Sequence, residues 1–247
     1  MTKVSWHRFF LVFFISTVIS VSIMARPLRI TPAGFAYHVF NRANARVPIF
    51  VDEKDYLGFE NLLAYAVELF DMRLCTYCIM PNHWHLVLWP KEDNALSRFV
   101  GWLTMTHTKR WHANHRTNGY GHLYQGRFKC FPIQEDSHFL TLCRYVERNP
   151  VNSGLAAKSQ DWRWSAMWHR CNSRKGDALP YTNWPVDIPL DWPALVNQIL
   201  NEKEITEIRR CLERGRPFGD SLWMKSTVAS LGLPADFKTA GRPPRKK

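Results

Sequence analysis

The chain has 247 residues, 46% hydrophobic and 22% charged, which excludes disorder over most of its length. One sizeable domain with an addition, or two small domains, fits that length. Its 33 basic residues against 21 acidic ones leave a formal charge of +12, which points to polyanions: nucleic acid or an anionic membrane surface.

Residues 9–23 form an apolar or hydroxylic run behind Lys3 and Arg8, with Ala25 just after it. That is the layout of a signal peptide, and it is short for a membrane span of about 20 residues. Ile23 fits poorly at the third position before a cut after Ala25. Met24-Ala-Arg-Pro27 makes a natural start, which would turn residues 1–23 into an upstream extension.

A short strand is expected over residues 36–41, ending in the basic turn 42–46. Asp52 can cap a helix running to about residue 70. Strands at 73–80 and 83–89 flank the tight turn Pro81-Asn82. A helix over 97–115 puts Phe99, Val100, Leu103 and His107 on one face, with Leu96 just ahead of them. A glycine-punctuated basic loop, a strand at 127–134 and a helix from Asp136 to Arg148, stopped by Pro150, follow. The order β-α-β-β-α-β-α predicts an α+β fold, a ferredoxin-like antiparallel sheet with helices on one face.

Beyond about residue 168 the pattern loosens and then returns to helix over 192–214. Residues 209–247 hold ten basic and three acidic side chains, so over half of the excess charge lies there. The expected division is an extension at 1–23, a catalytic domain at 24–170, a linker at 171–191 and a basic helical DNA-binding appendage with a disordered tail at 192–247.

Six scattered cysteines do not form a secreted disulfide framework. Cys75-x-x-Cys78 lies in a predicted strand, where residues three apart face opposite ways and cannot chelate one ion. Reduced thiols are expected.

His83-Trp84-His85 carries more weight. On a strand, residues two apart share a face, so both imidazoles sit about 6–7 Å apart in backbone terms, a spacing one ion can bridge. Two satisfied histidines on a sheet surface would read the same way. Tyr145 and Asn149, four apart, stack on one face of the last helix. A tyrosine hydroxyl titrates near 10 and needs a positive centre or a base to act as nucleophile. An amide oxygen from Asn149 with two imidazoles makes a set open to Mg²⁺ or Mn²⁺, with positions left for phosphate oxygen and water. Taken singly, Tyr145 is an ordinary amphipathic-helix aromatic and Asn149 a residue at a helix end.

Three separated segments occur in order: Tyr77-Cys-Ile-Met-Pro-Asn-His-Trp-His-Leu-Val-Leu88, Gly121-His-Leu-Tyr-Gln-Gly-Arg-Phe-Lys129 and Arg144-Tyr-Val-Glu-Arg-Asn-Pro-Val151. With Trp162-Arg-Trp-Ser165, they resemble the REP-associated tyrosine transposases, a branch of the single-tyrosine HUH transposases, over roughly residues 24–168. That family commonly begins Met-Ala-Arg-Pro, in favour of Met24 as the start. The resemblance implies that His83, His85 and Asn149 hold Mg²⁺ or Mn²⁺ against the scissile phosphate of single-stranded DNA. It also implies that Tyr145 attacks phosphorus to give a 5′-phosphotyrosine, and that the substrate is a hairpin-forming repeat. Tyr120 and Tyr124, in the glycine-rich loop, have no helical partner and rank below Tyr145.

Arg42, Arg46, Arg127 and Lys129 flank the expected site and can hold DNA phosphates, or can simply be solvated. The tail Gly241-Arg242-Pro-Pro-Arg-Lys-Lys247 is similar to an AT-hook, which makes Arg242 a candidate minor-groove contact, although a basic tail has the same composition. The expectation is a cytoplasmic monomer or homodimer acting on DNA without stable membrane association. A non-catalytic hairpin-binding protein and a hydrolase using water are the rival readings.

Overall fold

Among the described residues, period-two alternation resolves into four strands: β1 Ala36–Arg42, β2 Arg73–Met80, β3 His83–Trp89 and β4 Lys129–Ile133. The computed structural model describes residues 29–172 and 184–234. The 1–23 extension, the tail around Arg242 and residues 173–183 of the expected linker lie outside the described residues. The strands make one sheet in the order β2-β3-β1-β4, antiparallel at each pairing, which is the ferredoxin-like arrangement.

Two helices stand where the 3.6-residue period puts them. Helix α1, Glu53–Leu69, starts where Asp52 accepts the Asp55 amide at 3.0 Å. Helix α2, Ala95–His115, buries Leu96, Phe99, Val100, Leu103 and His107. Both pack on one face of the sheet, against Tyr37, Val39, Leu74, Tyr77, Trp84, Leu86 and Leu88.

The helices do not keep to that face. Helix α3, Ser137–Asn152, covers the other one and packs Phe139, Leu142, Cys143 and Val146 against Cys78, Val87 and Phe131. It also runs through Pro150, where a stop was expected. Proline withholds one N–H, but the turn still closes through Ser153 N to Asn149 O at 3.0 Å and Leu155 N to Pro150 O at 2.9 Å.

Helix α4, Ala166–Asn172, follows at the β2 end of the sheet. The segment expected as a single helix over 192–214 is two: α5, Trp192–Asn197, and α6, Glu202–Arg214. Asn201 opens α6 with a reciprocal cap to Glu204, and Gly215, at φ +69°, closes it in the left-handed region. Neither helix hangs free. Trp192, Val196, Ile208, Cys211 and Phe218 join the α3 core, and Arg144 Nε reaches Leu195 O at 3.1 Å. Helix α7, Ser221–Ser230, ends the described chain, with Trp223 edge-on to Phe35.

Both sheet edges are covered. Phe218 N bonds Pro132 O at 2.9 Å and Gln134 N bonds Phe218 O at 2.9 Å beside β4. At β2, Ile79 N bonds Trp164 O at 2.9 Å and Trp162 Nε1 bonds Ile79 O at 2.9 Å. The Trp162-Arg-Trp-Ser165 motif is therefore an edge cover.

The cysteine pair departs from the strand rule. A bulge in β2 between Leu74 and Thr76 shifts the alternation, so that Cys75 and Cys78 both join the α3 core. Both thiols are buried, and burial pushes Cys75 up to about 12.

Candidate active site

Strand β3 divides its side chains between the two faces. Trp84, Leu86 and Leu88 enter the α1–α2 core, and His83, His85 and Val87 face α3. The rings of His83 and His85 lie 5.1 Å apart, centre to centre. Phe40 of β1, the register partner of His85, touches both at 5.6 and 4.9 Å.

Each imidazole is held by its Nδ1. His83 Nδ1 lies 2.6 Å from Asn82 Oδ1, and Asn82 Nδ2 donates to Arg46 O at 2.8 Å. The Arg46 carbonyl can only accept, so the Asn82 amide presents its oxygen to His83, and His83 Nδ1 donates. His85 Nδ1 lies 2.9 Å from Nε2 of His38, a wholly buried residue of β1. In both histidines, Nε2 remains for a ligand.

Burial keeps both rings neutral, the form that binds metal. It lowers His83 to about 3, with the Arg42 cation adding to the effect. It holds His85 well below the ordinary range, assisted by His38, His83 and Arg42.

Helix α3 brings Tyr145 edge-on to His85, with the rings 5.9 Å apart. Burial raises the Tyr145 hydroxyl, and the guanidiniums of Arg209 and Arg42 pull it back. Arg209 belongs to α6, in the stretch assigned from sequence to an appendage. Asn149 lies one turn further along α3, where its Nδ2 donates to Tyr145 O at 2.8 Å and its amide oxygen takes no part in that bond. The contacts joining His83, His85 and Tyr145 do not include Asn149.

The rival tyrosines are elsewhere. Tyr124 is buried on the far face, its hydroxyl bonded to Trp84 Nε1 at 2.9 Å and His107 Nδ1 at 2.7 Å. Tyr120 is 86% exposed.

A cleft of about 540 Å³ opens between the 125–128 loop and the end of α6. It gathers Arg42, Arg127 and Lys129 with Arg29 and Arg214, and Glu213 is the one carboxylate among its described lining residues. A groove of about 1020 Å³ adjoins it along α2, shares Arg29 and Arg127, and has no carboxylate among its described lining residues. Arg46 is exposed and lines neither; its part in the site is the carbonyl that orients Asn82. The buried Nε of Arg42 has no hydrogen-bond partner among the described residues, an open donor beside the histidines. Arg29, Arg209 and Arg214 were not legible as site residues, since each is remote in sequence and reads as an ordinary solvated cation.

The family model described as "Transposase IS200 like" matches residues 33–149. Solved structures also resemble the chain, these two among them. One is a REP-associated tyrosine transposase bound to a REP hairpin, 16% identical, covering 72% of this chain and 100% of its own, with TM-score 0.49. The other is a Deinococcus radiodurans protein described as a transposase, 19% identical, covering 50% of this chain and 94% of its own, with TM-score 0.36. No curated protein matches.

Proposed function

We propose that the chain, whose residues 33–149 match the IS200-like transposase model, cleaves and rejoins single-stranded DNA through Tyr145. The observation that carries this reading is the meeting of Tyr145 with two neutral histidines whose Nδ1 atoms are engaged and whose Nε2 atoms are left for a ligand. The motif resemblance to the REP-associated tyrosine transposases supports hairpin-forming repeats as the substrate.

Among the described residues, no three His, Cys, Asp or Glu side chains converge to hold a metal. The donor set still fits a divalent ion: His83 and His85 supply two imidazoles, and the Asn149 amide is the protein oxygen on the tyrosine helix. Bound there, Mg²⁺ or Mn²⁺ would polarise the scissile phosphate and offset its growing negative charge.

The remaining roles belong to the chain. Arg209 and Arg42 ease the loss of the Tyr145 proton, which passes to water. The Tyr145 oxygen forms a bond to phosphorus as the bond from phosphorus to the 3′ oxygen breaks. This leaves a 5′-phosphotyrosine and a 3′ oxygen that takes a proton from water to become a free hydroxyl. One phosphodiester replaces another, so a DNA hydroxyl can reverse the step and join strands without ATP. Arg42, Arg127 and Lys129, with Arg29 and Arg214, hold flanking phosphates in the cleft. Residues 192–234 serve this reading as part of the DNA-holding body. Among the described residues, no helix is long and apolar enough to cross a membrane. A DNA substrate makes the cytoplasm the proposed compartment.

The test is incubation with labelled hairpin single-stranded DNA and Mn²⁺, followed by denaturing electrophoresis. The wild type should form a protein–DNA adduct that Tyr145→Phe abolishes. Hairpin binding without any adduct would make the chain a non-catalytic binder. Cleavage that survives in Tyr145→Phe would make water the nucleophile.

A further inference from the structure

We propose that His38 is a positioning residue that decides which nitrogen of His85 is bare, and so sets how tightly the site holds a divalent ion. This rests on the metal-binding reading above.

His38 and His85 lie on adjacent strands of the same sheet face, one step out of direct register, since His38 opposes Val87 and Phe40 opposes His85. Their rings are 5.1 Å apart and tilted by 23°, with His38 Nε2 and His85 Nδ1 at 2.9 Å. Phe131 packs on His38 at 5.0 Å, and His38 has no exposed surface. The bond therefore lies in a dry setting, where a lost partner is not replaced by water.

One hydrogen joins the two rings, and it can belong to either. If His38 Nε2 donates, His85 carries its own hydrogen on Nε2 and cannot bind a cation there. If His85 Nδ1 donates, His85 Nε2 is bare and His38 must carry its second hydrogen on Nδ1. That Nδ1 is buried and has no hydrogen-bond partner among the described residues. The ion-competent arrangement thus leaves a buried N–H unanswered, while the other leaves only an unprotonated nitrogen. The pair rests with its hydrogens on the two Nε2 atoms, and cation binding draws them to the two Nδ1 atoms. His83 has no such choice, because the Asn82 amide is locked by Arg46 O.

Removing His38 takes away the hydrogen bond that fixes the orientation of the His85 ring, and its Nδ1 hydrogen has no partner whenever an ion is bound. Loss of such an outer partner typically weakens metal binding by about 10- to 100-fold. A glutamine restores an acceptor oxygen of similar reach.

The experiment is Mn²⁺ titration followed by electron paramagnetic resonance, on full-length wild type, His38→Phe and His38→Gln, with thermal melts and metal-free hairpin binding as controls. Mn²⁺ affinity should fall about 10- to 100-fold in His38→Phe and return to within about threefold of wild type in His38→Gln. Metal-free hairpin binding should not change. Equal affinity in wild type and His38→Phe overturns the inference, and so does a folded His38→Gln as weak as His38→Phe. A wild type that binds no Mn²⁺ overturns the metal-binding reading along with it. Imidazole ¹⁵N spectra of wild type need no variant: on adding Mg²⁺ the bare nitrogen of His85 should move from Nδ1 to Nε2. A bare Nδ1 that persists with Mg²⁺ bound overturns the inference.

Discussion

Under α1 and α2, the buried polar side chains of the sheet close on one another; under α3, several stop short. On the first face, the Tyr124 hydroxyl bonds both Trp84 and His107, and the Tyr77 hydroxyl donates to Glu60 at 2.6 Å. On the second face, His38 Nδ1 and Arg42 Nε have no partner among the described residues, and the two site histidines use only one ring nitrogen each in the bonds that hold them. Both faces come from the same strands, so the difference lies in side chains one residue apart. A face that satisfies itself contributes stability; a face that leaves donors and acceptors open gives up some stability and can bind.

Neighbouring substitutions on β3 should separate the two faces most sharply. Trp84→Ala should destabilise the chain by about 3–5 kcal/mol in urea denaturation, since it empties a wholly buried site and removes one of the two partners of the Tyr124 hydroxyl. His85→Ala, which leaves the buried His38 Nε2 unmet, should cost less, about 1–3 kcal/mol, and cut metal-dependent cleavage by on the order of 10³-fold. Equal unfolding by both variants would break the comparison.

The α3 face has one closed polar cluster, around Glu147. This residue has no exposed surface and accepts from Thr76 Oγ1 at 2.5 Å and Trp192 Nε1 at 2.7 Å, tying the tyrosine helix to β2 and α5. Glu147→Ala should cost about 3 kcal/mol by leaving two buried donors unmet. A stability loss no larger than that of an exposed substitution would show the cluster to be incidental.

The smallest effect expected is a pH dependence on the closed face. Burial lowers His107 from 6.5 to about 3, so the folded chain keeps it neutral where the unfolded chain takes up a proton. Its contribution is intact above pH 6.5 and is lost progressively as the pH falls towards 3. Between pH 7.5 and 5.5 the loss should be about 1.4 kcal/mol, and His107→Phe should remove that part of the slope. Urea midpoints at the two pH values give the comparison, and an unchanged slope in the variant would assign the pH dependence to other groups.

Much of this was legible one residue at a time. The alternation in β3 separates His83 and His85 from Trp84 because period two leaves no other arrangement. The i, i+4 spacing of Tyr145 and Asn149 fits α3, and Asp52 does cap α1. What escaped depends on partners distant in the chain. Pro150 looked like a stop, but packing of α3 on the sheet outweighs one missing hydrogen bond. Cys75 and Cys78 looked opposed until a bulge turned them the same way. The 192–214 segment looked like an appendage, because its apolar stripe does not reveal that α3 is what it covers.

By itself, the sequence determined the α+β class, the order of strands and helices and the candidate histidines and tyrosine, since these follow from local periodicity and from side-chain chemistry. Only the tertiary structure decided that helices cover both faces, that α6 carries Arg209 to within electrostatic reach of Tyr145, and that His38 stands behind His85. Those facts join residues tens of positions apart, and chain closure across such distances depends on how buried surfaces fit together rather than on local pattern.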